Sequence, residues 1–368
     1  MKLIISREAL LAPLQSISGV VEKKQTMPVL SNILMVANQG ELRLTGTNME
    51  VELVCNIDQV DVEVPGQITV PARKLSDICR SLSDQAVLEL SVEGERLHVR
   101  AGKSHFTLST LPAEHFPNIE ESQQDISMTL PQADFKKMLE ATSFAMAQQD
   151  VRYYLNGMLL EMGATSIRAV ATDGHRLAMS SIDVVGTTFE DNRQVIVPRK
   201  GILELARLLT DVDGTINISF SDSHVRSEIG SYIFTSKLIE GKFPDYNRVI
   251  PRGGDKIVIA DRIELKNMFM RAGILSHENI RGVRLQLSDN QLQVFANNPE
   301  HEQAEDSLSV AYHGESLQVG FNVGYLIDVM GVINDDQVKL TLSNPNASAL
   351  IESTEETNSL YVVMPMRL

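Results

Sequence analysis

The sequence predicts an α+β protein made of three repeated domains, each with two helices and antiparallel β-sheets. An extended stretch that ends in a polar turn occurs three times, and Thr47, Thr172 and Asn297 mark the same turn at intervals of 125 residues. One helical pattern precedes each stretch and a second one follows it. A fixed internal period is the signature of a chain that stacks similar structural units.

The helices are predicted from apolar residues at helical spacing, as at Leu10, Leu11 and Leu14. The first helix of each unit is predicted over residues 6–22, 131–149 and 261–276. The second is predicted over residues 70–82, 197–209 and 321–333. Pro71 and Pro198 fit the first turn of a helix, where the missing N–H has no intrahelical partner to lose.

The strands are predicted from short alternating or β-branched runs between these helices. Examples are ELRLTG, QITVPA, VLELSV, RLHVRAG, HFTLSTL and SYIFTSKL, and the chain closes on the apolar run LYVVMPMRL. The stretches FPN (116–118) and FPD (243–245) mark the exits of the first two units. We therefore expect domains over 1–125, 126–253 and 254–368, the second boundary falling in the Pro/Gly stretch PRGGDK.

Length and composition indicate an ordinary globular protein of two or three domains, with 368 residues, 43% of them hydrophobic. The N-terminal MKLIISREALLAPL lacks the layout of a secretory signal, and no apolar run approaches a membrane span. We therefore expect a cytoplasmic protein with no membrane contact. Cys55 and Cys79 match neither a redox nor a zinc spacing, so two buried thiols are expected.

The distribution of charge favours a polyanion at one surface only. The chain carries −15, yet the six helical regions with their flanking residues, counted over 6–24, 71–83, 131–149, 198–210, 261–276 and 320–334, together carry +5, which leaves −20 on the remainder. If the helices form one layer, that layer attracts phosphate while the rest of the protein repels it. Twelve helices from two chains, each about 10 Å wide, would enclose a hole of ~28 Å. Duplex DNA is narrower than this hole, whereas one chain alone could not surround it.

The chain resembles the bacterial DNA polymerase III β sliding clamp family along its whole length. The resemblance rests on MPVLSNIL, VPARKLSDICR, QQDVRYYLNGML, ATDGHRLA, VIVPRKG, FTSKLIEGKFPDY, ENIRGVRL, ANNPEHEQAE and VVMPMRL. It implies the DNA-clamp fold, with helices lining the inside of a ring and sheets outside. It further implies a homodimer joined head to tail that encircles double-stranded DNA without regard to sequence and acts as a processivity factor.

The resemblance also implies a peptide-binding pocket for short linear motifs. Its residues here would be Leu155, Thr172, Gly174, His175, Arg176, Leu177, Pro244, Arg248, Val249, Asn322, Tyr325, Ser348, Val362, Met364, Pro365, Met366 and Arg367. Methionine is conformationally soft and suits a groove that accepts many ligands. The implied partners are the DNA polymerase III alpha subunit, the clamp loader, repair polymerases and mismatch repair proteins.

Two further sets of residues carry over from the family. The DNA-binding set is Lys24, Arg73, Gln149, Tyr153, Tyr154 and Lys200. The dimer-interface set is Lys74, Lys103, Phe106 and Leu108 on one side and Ile274, Leu275, Glu300, Glu302 and Glu305 on the other. Lysine and tyrosine contact phosphate and sugar without reading bases, as sequence-independent binding requires.

An enzyme remains the alternative prediction from the residues themselves. Asp173 and His175 could be drawn as an acid/base pair or half of a metal site, but the matching turns of units one and three have no such pair. Catalysis needs a nucleophile or further ligands in a defined arrangement. The acidic run at 296–306 has the wrong register for a calcium loop, and GGDK lacks the spacing of a phosphate loop. We expect no catalytic residue, no metal and no cofactor.

Overall fold

The computed structural model describes residues 1–22, 27–117, 119, 126–184, 193–210, 213–355 and 358–367. Within these ranges the chain repeats one order of elements three times: a strand, a helix, a run of strands, a second helix and three more strands. The predicted threefold repeat is therefore present in the order of the elements.

The bounds of the elements are as follows. The first repeat contains β1 (Lys2–Ser6), α1 (Arg7–Val20), β2 (Asn32–Asn38), β3 (Glu41–Thr47), β4 (Val51–Ile57), β5 (Asp61–Val64), β6 (Gly66–Pro71), α2 (Ala72–Ser81), β7 (Val87–Glu93), β8 (Arg96–Ala101) and β9 (Ser104–Ser109). The second contains β10 (Ile126–Pro131), α3 (Gln132–Ser143), β11 (Gly157–Met162), β12 (Ser166–Thr172), β13 (Arg176–Asp183), β14 (Arg193–Pro198), α4 (Arg199–Leu208), β15 (Thr215–Phe220), β16 (His224–Ile229) and β17 (Tyr232–Lys237). The third contains β18 (Lys256–Asp261), α5 (Arg262–Gly273), β19 (Gly282–Ser288), β20 (Gln291–Asn297), β21 (Gln303–Ser309), β22 (Leu317–Asn322), α6 (Val323–Val332), β23 (Gln337–Leu342), β24 (Ala349–Ser353) and β25 (Ser359–Val363).

The chain divides into two compact units whose borders fall inside the second repeat. The first unit comprises residues 1–133 and 200–238, and the second comprises residues 134–199 and 239–368. In the first unit, one sheet has the order β5-β1-β7-β8-β9 and the other has the order β10-β15-β16-β17-β4-β3-β2-β6. In the second unit, the orders are β14-β11-β12-β13-β25-β24-β23-β18 and β21-β20-β19-β22. All of the strand pairs with a recorded register are antiparallel.

In both eight-stranded sheets, a strand of one repeat pairs with a strand of the next. Strand β17 pairs with β4, with Phe234 opposite Leu53. Strand β25 pairs with β13, with Tyr361 opposite Ala178. The repeats are therefore linked by continuous backbone hydrogen bonding and not only by side-chain packing.

The helices begin close to where the sequence predicts and bury one face on the sheets. Ser6 caps α1 by accepting a hydrogen bond from the backbone N–H of Ala9 at 3.2 Å, as expected of a serine at that position. Leu10, Leu14 and Ile17 of α1 are fully buried, and the helix packs on β3 and β4. Such burial of the apolar stripe, rather than intrinsic propensity, supplies most of the stability of a short helix.

Three sequence predictions differ in detail from the structure. Helix α3 ends at Ser143 and not at 149, because Arg176 and Arg199 occupy the carbonyls of the residues at and just beyond its end. Pro71 and Pro198 end strands just before helices, one position ahead of the first helical turn. The last strand stops at Val363, and the following residues take other hydrogen bonds.

Both cysteines are buried, as predicted. Burial raises the pKa of the Cys55 thiol, and it raises that of Cys79 to about 11. No helix in the described part of the chain is both long and apolar enough to cross a membrane.

Candidate functional site

The polar turn between β12 and β13 is held by its own side chains. The Thr172 hydroxyl donates to the carbonyl of Arg176 at 2.6 Å and accepts from the N–H of Gly174 at 3.0 Å. The Asp173 carboxylate accepts from the N–H groups of His175 and Arg176 at 2.9 and 3.0 Å. Gly174 has φ +88°, a left-handed conformation that costs glycine little. The turn therefore presents His175 to solvent in a defined conformation.

The Arg176 side chain connects this turn to two helices. Its guanidinium donates to Asp173 at 3.0 Å, to the Phe144 carbonyl at 2.7 Å and to Asp328 of α6. The same group lies 4.5 Å from the ring centre of Tyr325 and 5.1 Å from that of Phe144, within range of a cation–π interaction. Only 12% of the side chain is exposed, so these contacts replace its hydration. Arg176 therefore acts chiefly to hold the polar turn against α6 and the end of α3, and its polar groups have partners within the chain.

A cavity of about 410 Å³ lies beside the turn. Its lining includes three residues of the implied pocket, His175, Arg176 and Tyr325, together with Phe144 and Arg199. Arg199 donates to the carbonyls of Ser143 and Met146 at 3.3 and 3.2 Å. The sequence prediction did not include Phe144 or Arg199.

The C-terminal segment runs past the turn and connects two sheets. The N–H of Met364 donates to the carbonyl of His175 at 2.9 Å, and the N–H of Met366 donates to that of Gly320 in β22, also at 2.9 Å. The Met364 side chain is 46% exposed although its backbone is held. A fixed backbone with a free thioether suits a surface that adapts to different ligands.

An apolar cluster lies under this surface. It contains Leu155, Leu177 and Val362 of the implied pocket. The other buried members are Ala147, Leu159, Val170, Ile196, Phe243 and Tyr246. Tyr246 is held by Arg168, which donates to its hydroxyl at 2.9 Å, and burial raises the pKa of that hydroxyl. From the sequence, Phe243 was expected only as part of the FPD stretch that ends the second unit, and Tyr246 was not predicted as a site residue.

The remaining pocket residues lie at exposed or half-buried positions. Pro244, Arg248 and Val249 are exposed on the segment after β17, where Arg248 pairs with Asp245 at 2.9 Å. Asn322 caps α6 by accepting from the N–H of Gly324, and its amide donates to the carbonyl of Ile280. The other two, Ser348 and Pro365, are half-buried, and Arg367 is exposed. All of the implied pocket residues belong to the second unit.

The implied DNA-binding residues occupy different environments. Gln149 and Tyr153 are exposed on one loop, and the rings of Tyr153 and Tyr154 meet edge-on at 5.7 Å. Arg152 in this loop binds Asp150 and lowers the pKa of that carboxyl to about 2, chiefly by hydrogen bonding. Arg152 also donates to the carbonyl of Asp173 at 3.1 Å, which ties the loop to the polar turn.

The other three residues of that set lie elsewhere. Arg73 is exposed on α2. The Lys200 ammonium donates to the Val20 carbonyl at 2.8 Å and to Glu22 at 3.0 Å, so it already has partners within the first unit. Lys24 lies outside the described residues.

The implied interface residues lie at or near two open sheet edges. Phe106 and Leu108 are on β9, the last strand of the five-stranded sheet in the first unit. Glu305 is on β21, the last strand of the four-stranded sheet in the second unit. Ile274 follows α5 with 76% of its side chain exposed, which is unusual for an isoleucine. Lys74, Lys103, Glu300 and Glu302 are exposed, and Leu275 is half-buried.

Comparison with known proteins matches the chain to one family along its length. Residues 1–120, 129–245 and 247–367 match the N-terminal, central and C-terminal domains of the DNA polymerase III beta subunit. The beta sliding clamp of Pseudomonas aeruginosa is 55% identical over all 368 residues of both chains, and that of Escherichia coli K12 is 48% identical with the same coverage.

The chain belongs to the DNA polymerase III beta subunit family.

Solved sliding clamps share the fold throughout. A crystal structure of the Pseudomonas aeruginosa clamp bound to griselimycin has a TM-score of 0.95 at 55% identity, with both chains fully covered. The Caulobacter crescentus protein has a TM-score of 0.91 at 36% identity, again over the full length of both chains. The prediction of a DNA-clamp fold with three repeated α+β domains is therefore confirmed.

The polar turn gives the enzyme alternative no support. The Asp173 carboxylate is occupied by two backbone N–H groups and the Arg176 guanidinium, and His175 is exposed to solvent. Among the residues that the structure describes, no group of three or more His, Cys, Asp or Glu side chains is placed to hold a metal ion. In this beta-subunit chain, Asp173 serves to shape the turn.

Proposed function

We propose that this chain is a sliding clamp: two copies close head to tail around duplex DNA and tether the replicative polymerase and other proteins through the peptide pocket. The observation that carries the proposal is the pair of internal sheet junctions, β4 with β17 and β13 with β25. In the third repeat β21 corresponds to β4 and β13, and in the first repeat β9 corresponds to β17 and β25. Each of these two strands lies at the edge of its sheet in the described part of the chain. A third junction of this kind needs a second copy.

The register of the internal junctions extends to this third one. Phe234 opposite Leu53 and Tyr361 opposite Ala178 both correspond to Phe106 opposite Ala304 of the partner subunit, because the turn before β21 is one residue longer than those before β4 and β13. Leu108 then lies opposite the partner's Glu302. Apolar side chains would occupy the middle of the interface, with Lys103 close to the acidic residues of the partner's β21 edge. Complementary charge at a rim sets register and specificity more than affinity.

Two copies supply six repeats and twelve helices, enough for a hole wider than duplex DNA. We place the domain boundaries near residues 125 and 253, as the sequence predicts. The protein would be non-catalytic, act in the cytoplasm on nucleoid DNA, and bind the DNA polymerase III alpha subunit, the clamp loader, repair polymerases and mismatch repair proteins. DNA would be retained by enclosure, so the affinity for linear duplex should be weak and should fall steeply with salt.

The interface is tested by placing charge at its apolar centre. Ile274→Asp with Leu275→Asp should give a monomer by analytical ultracentrifugation and abolish retention on nicked circular DNA. Ile257→Asp, at an isoleucine that is 46% exposed on β18, is the matched control and should leave the mass and the retention unchanged. A dimer of normal mass after the double substitution, or equal retention on linear and circular DNA, would contradict the proposal.

The pocket is tested by removing its C-terminal edge. Deleting residues 364–368 removes the backbone contacts to His175 and Gly320 and should abolish binding of an apolar-anchored peptide while the dimer remains intact. His175→Ala should weaken the same binding. Turnover or metal binding that depends on His175, or a deletion variant that is monomeric, would argue against these assignments.

A further inference from the structure

A second cavity, of about 640 Å³, lies in the second unit between α3, the end of β13, the end of α6 and the segment around β25. Its lining includes Ala141, Ser180, Gly331, Asn358 and Ser359. None of these belongs to the implied pocket, DNA-binding set or interface set. Four of these five residues are Ala, Ser or Gly, which leaves room between α3, α6 and the two strands.

The repeat identifies the counterparts of these positions in the first unit. Ser359 pairs with Ser180 across β25 and β13, as Tyr232 pairs with Cys55 across β17 and β4. Gly331 is nine residues after the end of β22, the strand before α6, and Arg207 is nine residues after the end of β14, the strand before α4. Ala141 is ten residues after the end of β10 and Ser16 is ten residues after the end of β1, so these two positions also correspond.

In the first unit the corresponding space is filled by the chain itself. The Arg207 guanidinium donates to the carbonyl of Ser16 and to the carboxylate of Glu204. Tyr232 lies opposite Cys55 across β17 and β4, its hydroxyl is close enough to Ser16 and Cys55 to interact with both, and burial raises its pKa. A methyl group on Gly19 would come within 2.6 Å of Arg207, which shows how tightly this space is occupied. In the first unit, the Arg207 guanidinium and the Tyr232 ring therefore fill the space that Gly331 and Ser359 leave open in the second unit.

The charge of the open cavity favours a cation. Of the described residues that line it, Asp134, Glu140, Asp183 and Glu355 are acidic and exposed, and Lys137 is basic. The Lys266 ammonium lies near its α6 side, 3.6 Å from where a β-carbon on Gly331 would be. Within the described ranges, none of these four carboxylates takes part in an ion pair at 4 Å or less. A bound cation would lower the mutual repulsion of the carboxylates.

The lining also offers some apolar surface to the body of a ligand. Val332 and Ile182 are half-buried there, whereas Tyr361, Met138 and Ile333 are each at most 4% exposed. Ligand sites characteristically combine such surface with a few polar groups that orient the ligand.

We propose that this cavity binds an organic cation: a guanidinium or primary ammonium group on a short apolar or aromatic body. The cationic group occupies the place that Arg207 takes in the first unit, near Ala141 and the acidic rim. The body occupies the place of Tyr232, beside Ser359 and Ser180. The source is either a free small amine or an arginine side chain of a bound peptide. This inference does not depend on the clamp function.

The test fills the cavity with the side chain that the repeat itself uses. Agmatine and the dipeptide arginyl-tyrosine amide are titrated calorimetrically into the full-length protein, with one saturable site per chain expected. Gly331→Arg should weaken binding of both at least tenfold. A β-carbon at Gly331 meets Lys266 Nζ at 3.6 Å, an ordinary contact, so the variant should fold.

Two controls separate occupancy from charge. Gly331→Ala leaves the space open and should keep the affinity, and Gln291→Arg adds the same charge on β20 and should also keep it. Glu140→Gln with Asp183→Asn should weaken binding by removing charge from the lining. Tighter binding of the dipeptide than of agmatine supports a peptide source, and equal binding supports a free amine. No saturable binding, or unchanged binding by Gly331→Arg, overturns the proposal. Neither result bears on DNA retention.

Discussion

Arg176 and Arg248 provide a controlled comparison of what burial does to an ion pair. Both arginines donate Nε to an aspartate three residues away, at 3.0 Å for Asp173 and 2.9 Å for Asp245. The Arg176 side chain is 12% exposed and that of Arg248 is 84% exposed. Replacing each by methionine keeps an unbranched, flexible side chain and removes the charge.

The expected cost differs several-fold between the two. Arg176→Met removes the bonds to Asp173 and to the Phe144 carbonyl from a site with little water, and hydrogen bonds of charged groups contribute about 1.5 to 3 kcal/mol each. Asp328 is half-exposed and becomes hydrated when the Arg176 guanidinium is removed, so the loss of that ion pair is assigned no cost. The free energy of unfolding should fall by about 3 kcal/mol. Arg248→Met should cost less than about 1 kcal/mol, because exposed ion pairs are weak.

Urea unfolding followed by circular dichroism measures both values, since the chain has no tryptophan to serve as a fluorescent probe. Repeating the measurement in 1 M NaCl should remove the effect of Arg248→Met and leave most of that of Arg176→Met, because salt screens exposed charges far more than buried ones. Equal losses for the two variants, or a loss below about 1 kcal/mol for Arg176→Met, would refute the reasoning from burial.

Three further predictions concern other groups. Because Arg152 lowers the pKa of Asp150 from its ordinary 3.8 to about 2, the pair stabilises the fold above pH 4 and loses this effect as the pH falls toward 2; urea midpoints of the wild type and Asp150→Asn should therefore converge near pH 2, and a constant difference would contradict this. Gly174→Ala should cost about 1 to 2 kcal/mol more than Gly230→Ala, because both glycines have positive φ but a β-carbon at 174 would lie 2.8 Å from Arg152; equal costs in urea unfolding would show that Arg152 moves aside freely. Cys79, with its pKa raised to about 11 by burial, should not react with a disulfide reagent at pH 8 until the chain unfolds, and rapid labelling of the native protein would contradict its burial.

The repeat made most of the architecture predictable from the sequence. A period of 125 residues gave three units, and the apolar spacing located all six described helices to within a few residues of their starts. The end of α3 was not predictable in this way. Its carbonyls are bound by Arg176 and Arg199, which lie more than 30 positions along the chain, and no local pattern reports such contacts.

The site was predicted through family resemblance and completed by the structure. Leu155, Leu177 and Val362 do meet in one apolar cluster, but Tyr246 beneath them and Asp328 beside Arg176 were missed. The repeat held a signal for Asp328, since it corresponds to Glu204, another acidic residue that binds an arginine. The assignments of peptide, DNA and partner contacts themselves stay predictions.

The pairing of β17 with β4 determines which fragments of the chain can be expressed as folded pieces. A fragment ending near residue 125 would keep β4 but lose β17, leaving a row of unpaired N–H and C=O groups along an otherwise buried apolar strand. Such edges recruit other chains and promote aggregation. A soluble fragment is better sought by joining residues 1–133 to 200–238 through a short linker, which retains every strand of that sheet.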